Sequence, residues 1–286
     1  MLQLMESNTK NMTKVFVLGN GESRKGLDLD GLRKHGKIYG CNALYRDYSP
    51  DALVCVDGGM IHEVYSSGYC SNNKTYFRGW NKLPEYIYPD MVNLDKLMDW
   101  PAGLFNENEK GSRTQFVLNG TDPNQIQRQY EEIVRKHEID DEYEQLEIRQ
   151  LMGNHCMWVT WVDDEDCALS IPMGIEGWSA GPIAVNLACL FEEPTDVYLI
   201  GFDMGSNDLF VNNVYKGSSN YVTQDAKETY AGNWIQQHKK NFEMFPNVNF
   251  WKVNPKSLGD DMQSRHIKEW DENDNLKYIE LKALDF

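Results

Sequence analysis

The feature that most constrains the fold is the apolar run Val15–Leu18, which ends abruptly on the turn Gly19-Asn20-Gly21-Glu22-Ser23. Four consecutive apolar residues, two of them β-branched, predict a strand that is buried on both faces, as in a parallel sheet. Gly19 and Gly21 allow a tight turn and let backbone amides approach a ligand closely. Ser23 can then cap a following helix. A strand, a glycine turn and a helix start together favour an anion site, most often for phosphate. A plain strand-to-helix connection is the alternative.

The same alternation of strands and helices continues along the chain and predicts an α/β fold. We expect a Rossmann-like, doubly wound and mostly parallel sheet with a large inserted, lid-like region. The further predicted strands are Lys37–Gly40, Ala52–Val56, Val197–Ile200, Val248–Val253 and Leu276–Leu281, and the predicted helices are Leu27–His35, Pro182–Phe191 and Asp225–Phe245.

Composition shifts divide the chain into three parts. Residues 1–68 and 174–258 carry the alternating pattern and form the predicted nucleotide-binding core. Residues 69–173 form the predicted insertion, because their first part is rich in aromatics, Asn and Pro and has little periodicity. Within it we expect a helix at Asp122–His137 and a hairpin of Met157–Val162 with Ala168–Ile171. Residues 259–286 form a charged C-terminal tail.

Composition also indicates a folded protein and argues against several kinds of binding partner. The 286 residues are 41% hydrophobic, which suffices for a packed core, and the net charge of -16 disfavours nucleic acid and anionic membranes as partners. No segment has the apolar length of a membrane span. The six cysteines are scattered, which favours buried thiols over disulfides or zinc ligands. We therefore expect a soluble, cytoplasmic protein and leave a homo-oligomer open.

Polar residues stand where predicted strands end. Asn20, Asn42 and Asp57 each follow such a strand, and ligands of open α/β sheets bind outside the carboxyl ends of their strands. The alternative is local: asparagine bonds its own turn, and Asp57 caps the next helix. Asp203 follows Gly201-Phe202 and has two interpretations as well, namely bonding of loop amides or contact with a ligand.

With these residues laid out, the chain resembles the bacterial lipooligosaccharide sialyltransferases, whose Rossmann-like domain binds a cytidine sugar nucleotide. It is also similar to the 6-hydroxymethylpterin diphosphokinases of the archaeal type. The resemblance is carried by Gly19-Asn20-Gly21-Glu22-Ser23, Cys41-Asn42-Ala43-Leu44-Tyr45, Ser179-Ala180-Gly181 and Val197–Asp203. The segment Pro50–Asp57 is closer to the pterin-kinase branch.

The resemblance implies a nucleotide-sugar-dependent glycosyltransferase. In this hypothesis the donor phosphate binds against Gly19, Asn20, Gly21 and Ser23 and against the Ser179-Ala180-Gly181 loop. Asn42 and Asp57 contact ribose or base, and Tyr215 and Tyr221 hold the leaving phosphate.

The catalytic base is less well defined by the sequence. The family places a histidine before its last strand, where this chain has His238 at a shifted position. The candidate catalytic residues are therefore His238, His155 and Asp203. Two alternatives stay open. One is a diphosphokinase in which Asp57 and Asp203 hold Mg²⁺, and the other is a catalytically silent nucleotide-binding protein. No other cofactor is implied.

Overall fold

The computed structural model describes residues 13–78, 81–82, 115–116, 131, 134–135, 138–142, 145, 167–175 and 177–284. The strands are β1 (Lys14–Leu18), β2 (Lys37–Cys41), β3 (Ala52–Cys55), β4 (Thr75–Phe77), β5 (Asn81–Lys82), β6 (Gln115–Phe116), β7 (Ala168–Ser170), β8 (Asp196–Ile200), β9 (Asn249–Asn254) and β10 (Leu276–Glu280). The α-helices are α1 (Leu29–Arg33), α2 (Gly58–Ser66), α3 (Ala180–Glu192) and α4 (Gly232–Met244), with short 3-10 helices at Glu22–Arg24, Asn42–Arg46, Tyr69–Ser71, Lys268–Trp270 and Leu281–Ala283.

Eight strands form one parallel sheet in the order β10-β9-β8-β1-β2-β3-β4-β7. The apolar runs predicted as buried strands occupy its middle, where Phe16, Val17 and Leu18 of β1 have no exposed surface. The predicted α/β class with a mostly parallel sheet is therefore confirmed. Strands β5 and β6 form a separate antiparallel pair.

Strand β7 pairs in parallel with β4, and the segment Met157–Val162 that was expected beside it lies outside the described residues. Strand β10 pairs with β9, which confirms the strand expected at Leu276–Leu281. Helix α4 begins at Gly232 rather than at Asp225, because the preceding loop bonds to another loop, with the amide of Glu228 donating to the carbonyl of Leu209 at 2.9 Å.

The chain divides into two compact units. The first unit comprises Met1–Tyr39 and Gly181–Phe286, and the second comprises Gly40–Ala180. The first unit contains β1, β8, β9 and β10, and the second contains β3, β4 and β7. His155, Cys156, the segment Met157–Val162 and most of the predicted helix 122–137 lie outside the described residues.

Two further findings bear on the expectations from composition. None of the helices in the described part of the chain has the length and apolar character needed to cross a membrane. None of the five described cysteines forms a disulfide, and all of them except Cys167 are buried.

Candidate functional site

In the first unit, the turns that follow β1 and β8 touch through their backbones. The amides of Gly19 and Gly21 donate to the carbonyls of Ile200 at 2.8 Å and Gly201 at 2.9 Å. A Cβ on Gly19 would lie 2.5 Å from the oxygen of Gly201, and Gly201 itself has a φ of +73°, which favours glycine. Gly19 and Gly201 are therefore required by this contact between the two turns.

Asp203 holds the loop after β1 in place. Its Oδ2 accepts a hydrogen bond from the amide of Ser23 at 3.0 Å, and its Oδ1 accepts one from the Ser23 hydroxyl. Burial raises the pKa of Asp203, while the bonds from Ser23 oppose that shift. A Cβ on Gly21 would lie 2.5 Å from this carboxylate. Of the two interpretations of Asp203, bonding of a loop amide is thus observed.

The backbone amides of this turn are already engaged by protein atoms. Those of Gly19, Gly21 and Ser23 have the acceptors given above, and the amide of Glu22 donates to Oδ1 of Asn212 at 2.7 Å. The expected phosphate cradle would need these same N–H groups. An oxyanion that binds at this turn must therefore be held mainly by side chains.

Side chains suited to that role gather around Arg24, which the sequence analysis did not single out. Its Nη2 donates to the hydroxyl of Tyr215 at 2.9 Å and contacts Oδ1 of Asn20 at 3.4 Å. Nδ2 of Asn20 donates in turn to the hydroxyl of Tyr221 at 3.0 Å. We call Asn20, Arg24, Tyr215 and Tyr221 the arginine–tyrosine cluster. Three of its four members were predicted as ligand-binding residues.

The charge of Arg24 is not balanced within the part of the chain that the structure describes. The residue is only 7% exposed, yet the two hydrogen-bond acceptors of its Nη2, the hydroxyl of Tyr215 and Oδ1 of Asn20, are neutral oxygens, and its buried Nε has no partner there. The nearby Glu22 is bonded to Lys25 at 2.7 Å and lies 3.5 Å from Lys216. Burying a cation without a carboxylate partner is unfavourable by several kcal/mol, and the position of the Arg24 guanidinium over the Tyr215 ring, with Cζ 5.4 Å from the ring centroid, offsets only part of that penalty. A bound anion would remove that penalty.

His238 lies in the core of the first unit and has no exposed surface. Its ring packs edge-on against Phe202 with centroids 4.8 Å apart, and against Trp270 at 6.1 Å. Burial lowers its pKa from 6.5 to about 3. A general base must reach the proton that it removes, so this position does not support His238 as the catalytic base. His155, the other candidate, lies outside the described residues.

The second unit contains other predicted residues at the ends of its strands. Asn42 has a left-handed backbone with φ of +51°, and its buried Oδ1 has no partner among the described residues. Asp57 precedes α2 without a side-chain bond to that helix, so the capping alternative is not observed. Ser179 and Ala180 end the second unit. Gly181 begins the second segment of the first unit, where a Cβ on it would lie 2.6 Å from the ring of Phe202.

The structure thus brings Gly19, Asn20, Gly21, Ser23, Asp203, Tyr215 and Tyr221 together within one unit. Arg24 was missed because Glu22-Ser23-Arg24-Lys25 is typical of an exposed turn, and only the fold shows that one of its charges is buried. No group of three or more His, Cys, Asp or Glu side chains suited to a metal ion occurs within the described ranges.

Comparison with known proteins adds no assignment: no protein-family model, no curated protein and no solved structure matches this chain.

Proposed function

We propose that the protein is a nucleotide-sugar-dependent glycosyltransferase whose donor phosphate binds at the arginine–tyrosine cluster. The observation that supports this proposal is the buried guanidinium of Arg24, which lacks a carboxylate partner in the described chain and lies beside the hydroxyl of Tyr215. Guanidinium groups bind phosphate through paired, charge-assisted hydrogen bonds.

The cluster suits the charge changes of glycosyl transfer. The bond between the anomeric carbon of the sugar and a phosphate oxygen breaks, and the acceptor oxygen forms a new bond to that carbon. The electron pair of the broken bond stays on the phosphate, which leaves with one more negative charge. Arg24 and the hydroxyls of Tyr215 and Tyr221 would stabilise that charge from fixed positions, which is the largest contribution in many enzymes.

The acceptor hydroxyl must also lose its proton, and the described residues offer no histidine for this step within the cluster. His238 is buried in the core. This observation favours a second candidate, a nucleotide-binding protein without transfer activity. Both candidates require nucleotide binding at Arg24, and they differ in turnover.

Calorimetric titration with CMP, UDP, ADP and inorganic phosphate tests the shared requirement. We expect binding of at least one nucleotide by the wild-type protein. Arg24→Met should weaken it about ten- to hundred-fold, since one charged hydrogen bond contributes about 1.5–3 kcal/mol. Arg33→Gln is the matched control, because Arg33 is an exposed arginine in the same unit. Tyr215→Phe keeps the ring and removes only the hydroxyl that contacts Arg24.

Thermal unfolding provides a second measurement on the same variants. Without ligand, Arg24→Met should be about as stable as wild type, because the substitution removes the desolvation penalty of a buried charge together with its hydrogen bonds to Tyr215 and Asn20. Unchanged nucleotide affinity in a folded Arg24→Met protein would refute the placement of the phosphate. Turnover of a sugar nucleotide in the presence of acceptors separates the transferase from the silent binding protein.

A further inference from the structure

The hydrogen bonds of the arginine–tyrosine cluster have a fixed direction, which is set by Arg24. A guanidinium has donors and no acceptor. The oxygens that Nη2 of Arg24 contacts, the hydroxyl of Tyr215 at 2.9 Å and Oδ1 of Asn20 at 3.4 Å, therefore accept. With its oxygen toward Arg24, the amide of Asn20 presents Nδ2 to the hydroxyl of Tyr221, which accepts at 3.0 Å. The guanidinium thus decides which way the Asn20 amide is turned.

The two tyrosine hydroxyls are acceptors within this network. A hydroxyl that accepts a hydrogen bond still has its own hydrogen to donate, and that hydrogen is directed to a group other than the donor. The hydroxyl hydrogen of Tyr215 is therefore directed away from Arg24, and that of Tyr221 away from Asn20. Toward a ligand, the guanidinium and both hydroxyls act as donors. Such a site suits a group that only accepts, such as an ionised phosphate.

The backbone of Asn20 holds this residue next to the loop that carries both tyrosines. Its carbonyl accepts a hydrogen bond at 2.8 Å from the amide of Val214, which directly precedes Tyr215. The rings of Tyr215 and Tyr221 lie 5.6 Å apart, and Cζ of Arg24 lies 5.4 Å from the centroid of the Tyr215 ring. Asn20 is thus joined to the loop by its backbone, and to Arg24 and Tyr221 by its side chain.

The neutrality of the Asn20 side chain is as important as its position. An amide oxygen accepts a hydrogen bond from Arg24 but leaves the positive charge of the guanidinium unbalanced. Asn20→Asp would change the size of the side chain very little, and its carboxylate would form an ion pair with Arg24. It would also remove the Nδ2 donor, so the hydroxyl of Tyr221 would turn and donate its hydrogen to the carboxylate. One substitution would therefore neutralise the cation and redirect one O–H donor.

We propose that Asn20 is a positioning residue that determines the class of ligand which the cluster binds. Its amide fixes Tyr221 as a donor and leaves the charge of Arg24 for an anion without a hydrogen to donate, such as the ionised phosphate of a nucleotide. The statement about the ligand rests on the proposed function. The coupling of Asn20 to Arg24 does not, because it follows from contacts within the protein.

Thermal unfolding of the ligand-free protein tests this coupling. At about pH 8, where carboxylates are ionised, Asn20→Asp should raise the unfolding midpoint by about 2 °C or more, because Arg24 gains a partner of opposite charge. In the Arg24→Met background the same substitution should lower the midpoint, because the new carboxylate has no cation beside it. Asn233→Asp is the matched control, since Asn233 is exposed in the same unit. Its effect should not depend on Arg24.

Calorimetric titration with CMP and inorganic phosphate tests the class of ligand. Asn20→Asp should weaken binding of both probes at least about tenfold, because its carboxylate competes for Arg24. Asn20→Ala, which removes the same two hydrogen bonds and adds no charge, should weaken binding less. Asn20→Gln should retain more affinity than Asn20→Ala because it keeps a neutral amide. Asn20→Ala combined with Tyr221→Phe should lose less affinity than the product of the two single losses, because Asn20 acts through Tyr221.

Two results would overturn the assignment. One is a change in ligand-free stability for Asn20→Asp that is the same with and without Arg24; if Asn20→Asp does not fold, Asn20→Ala replaces it and should destabilise the Arg24→Met protein less than the wild type. The other is a pair of effects for Asn20→Ala and Tyr221→Phe that simply multiply, because Asn20 would then contact the ligand by itself. If neither probe binds the wild-type protein but the stability change depends on Arg24, the proposed function fails and the coupling of Asn20 to Arg24 is supported.

Discussion

The buried imidazole of His238 makes the stability of the protein dependent on pH in a way that can be measured. Its pKa is lowered from 6.5 to about 3 by burial. Below pH 6.5 the unfolded chain binds a proton at this residue, whereas the folded chain does not until the pH approaches 3. Proton binding by His238 in the unfolded chain therefore leaves the free energy of unfolding unchanged above pH 6.5 and lowers it as the pH falls from 6.5 toward 3.

The size of the effect follows from the shift. Each pKa unit corresponds to about 1.4 kcal/mol, so the full loss near pH 3 is about 5 kcal/mol, and about 2 kcal/mol is lost at about pH 5. These are substantial fractions of the stability of an ordinary domain, which is about 5–15 kcal/mol.

His238→Leu isolates this contribution. Both ring nitrogens of His238 are buried without a partner among the described residues, so leucine removes no hydrogen bond seen there and has a similar volume. When the pH is lowered from about 8 to about 5, the free energy of unfolding should fall by about 2 kcal/mol less in the variant than in the wild-type protein. Urea unfolding followed by circular dichroism at both pH values measures the difference, in which the titration of all other groups cancels.

His35→Leu is the matched control for loss of an imidazole, because His35 is exposed. An identical pH dependence of wild type and His238→Leu would refute the reasoning. It would mean that the folded protein admits a proton to His238 through water or a local rearrangement.

Two further predictions concern the same unit. Burial lowers the pKa of Lys252 from 10.5 to about 8. Between pH 8 and pH 10.5 the unfolded chain therefore binds a proton that the folded chain has lost, so the free energy of unfolding should rise by up to about 3 kcal/mol over this range. Lys252→Met should abolish that rise, as measured by urea unfolding. A Lys252→Met protein with the wild-type slope would contradict this prediction. Gly21→Ala places a Cβ 2.5 Å from the Asp203 carboxylate and should destabilise the fold by about 1–3 kcal/mol in the same assay. Gly259→Ala, whose nearest atom is 3.8 Å away, is its control, and equal stability of the two variants would refute the steric argument.

Much of the fold was predictable because strand signals are local. Continuous apolar runs such as Val15–Leu18 and Val197–Ile200 are compatible only with burial on both faces, and both are central strands of the parallel sheet. The pairing of β7 with β4 was not predictable, because Ala168 lies opposite Thr75, which is distant in the sequence. Strand order is decided by long-range packing, which a local pattern does not record.

The candidate site shows the same division. The sequence by itself determined that polar and glycine residues follow the buried strands, and so placed Asn20 and Asp203 at the carboxyl edge of a parallel sheet. Only the tertiary structure decided what these residues do there. It assigns the glycine-turn amides to protein acceptors, buries His238 among aromatic rings, and buries Arg24 beside Tyr215. Burial and charge balance depend on atoms distant in the chain, so a charge that is ordinary in sequence becomes a candidate anion site once folding removes it from water.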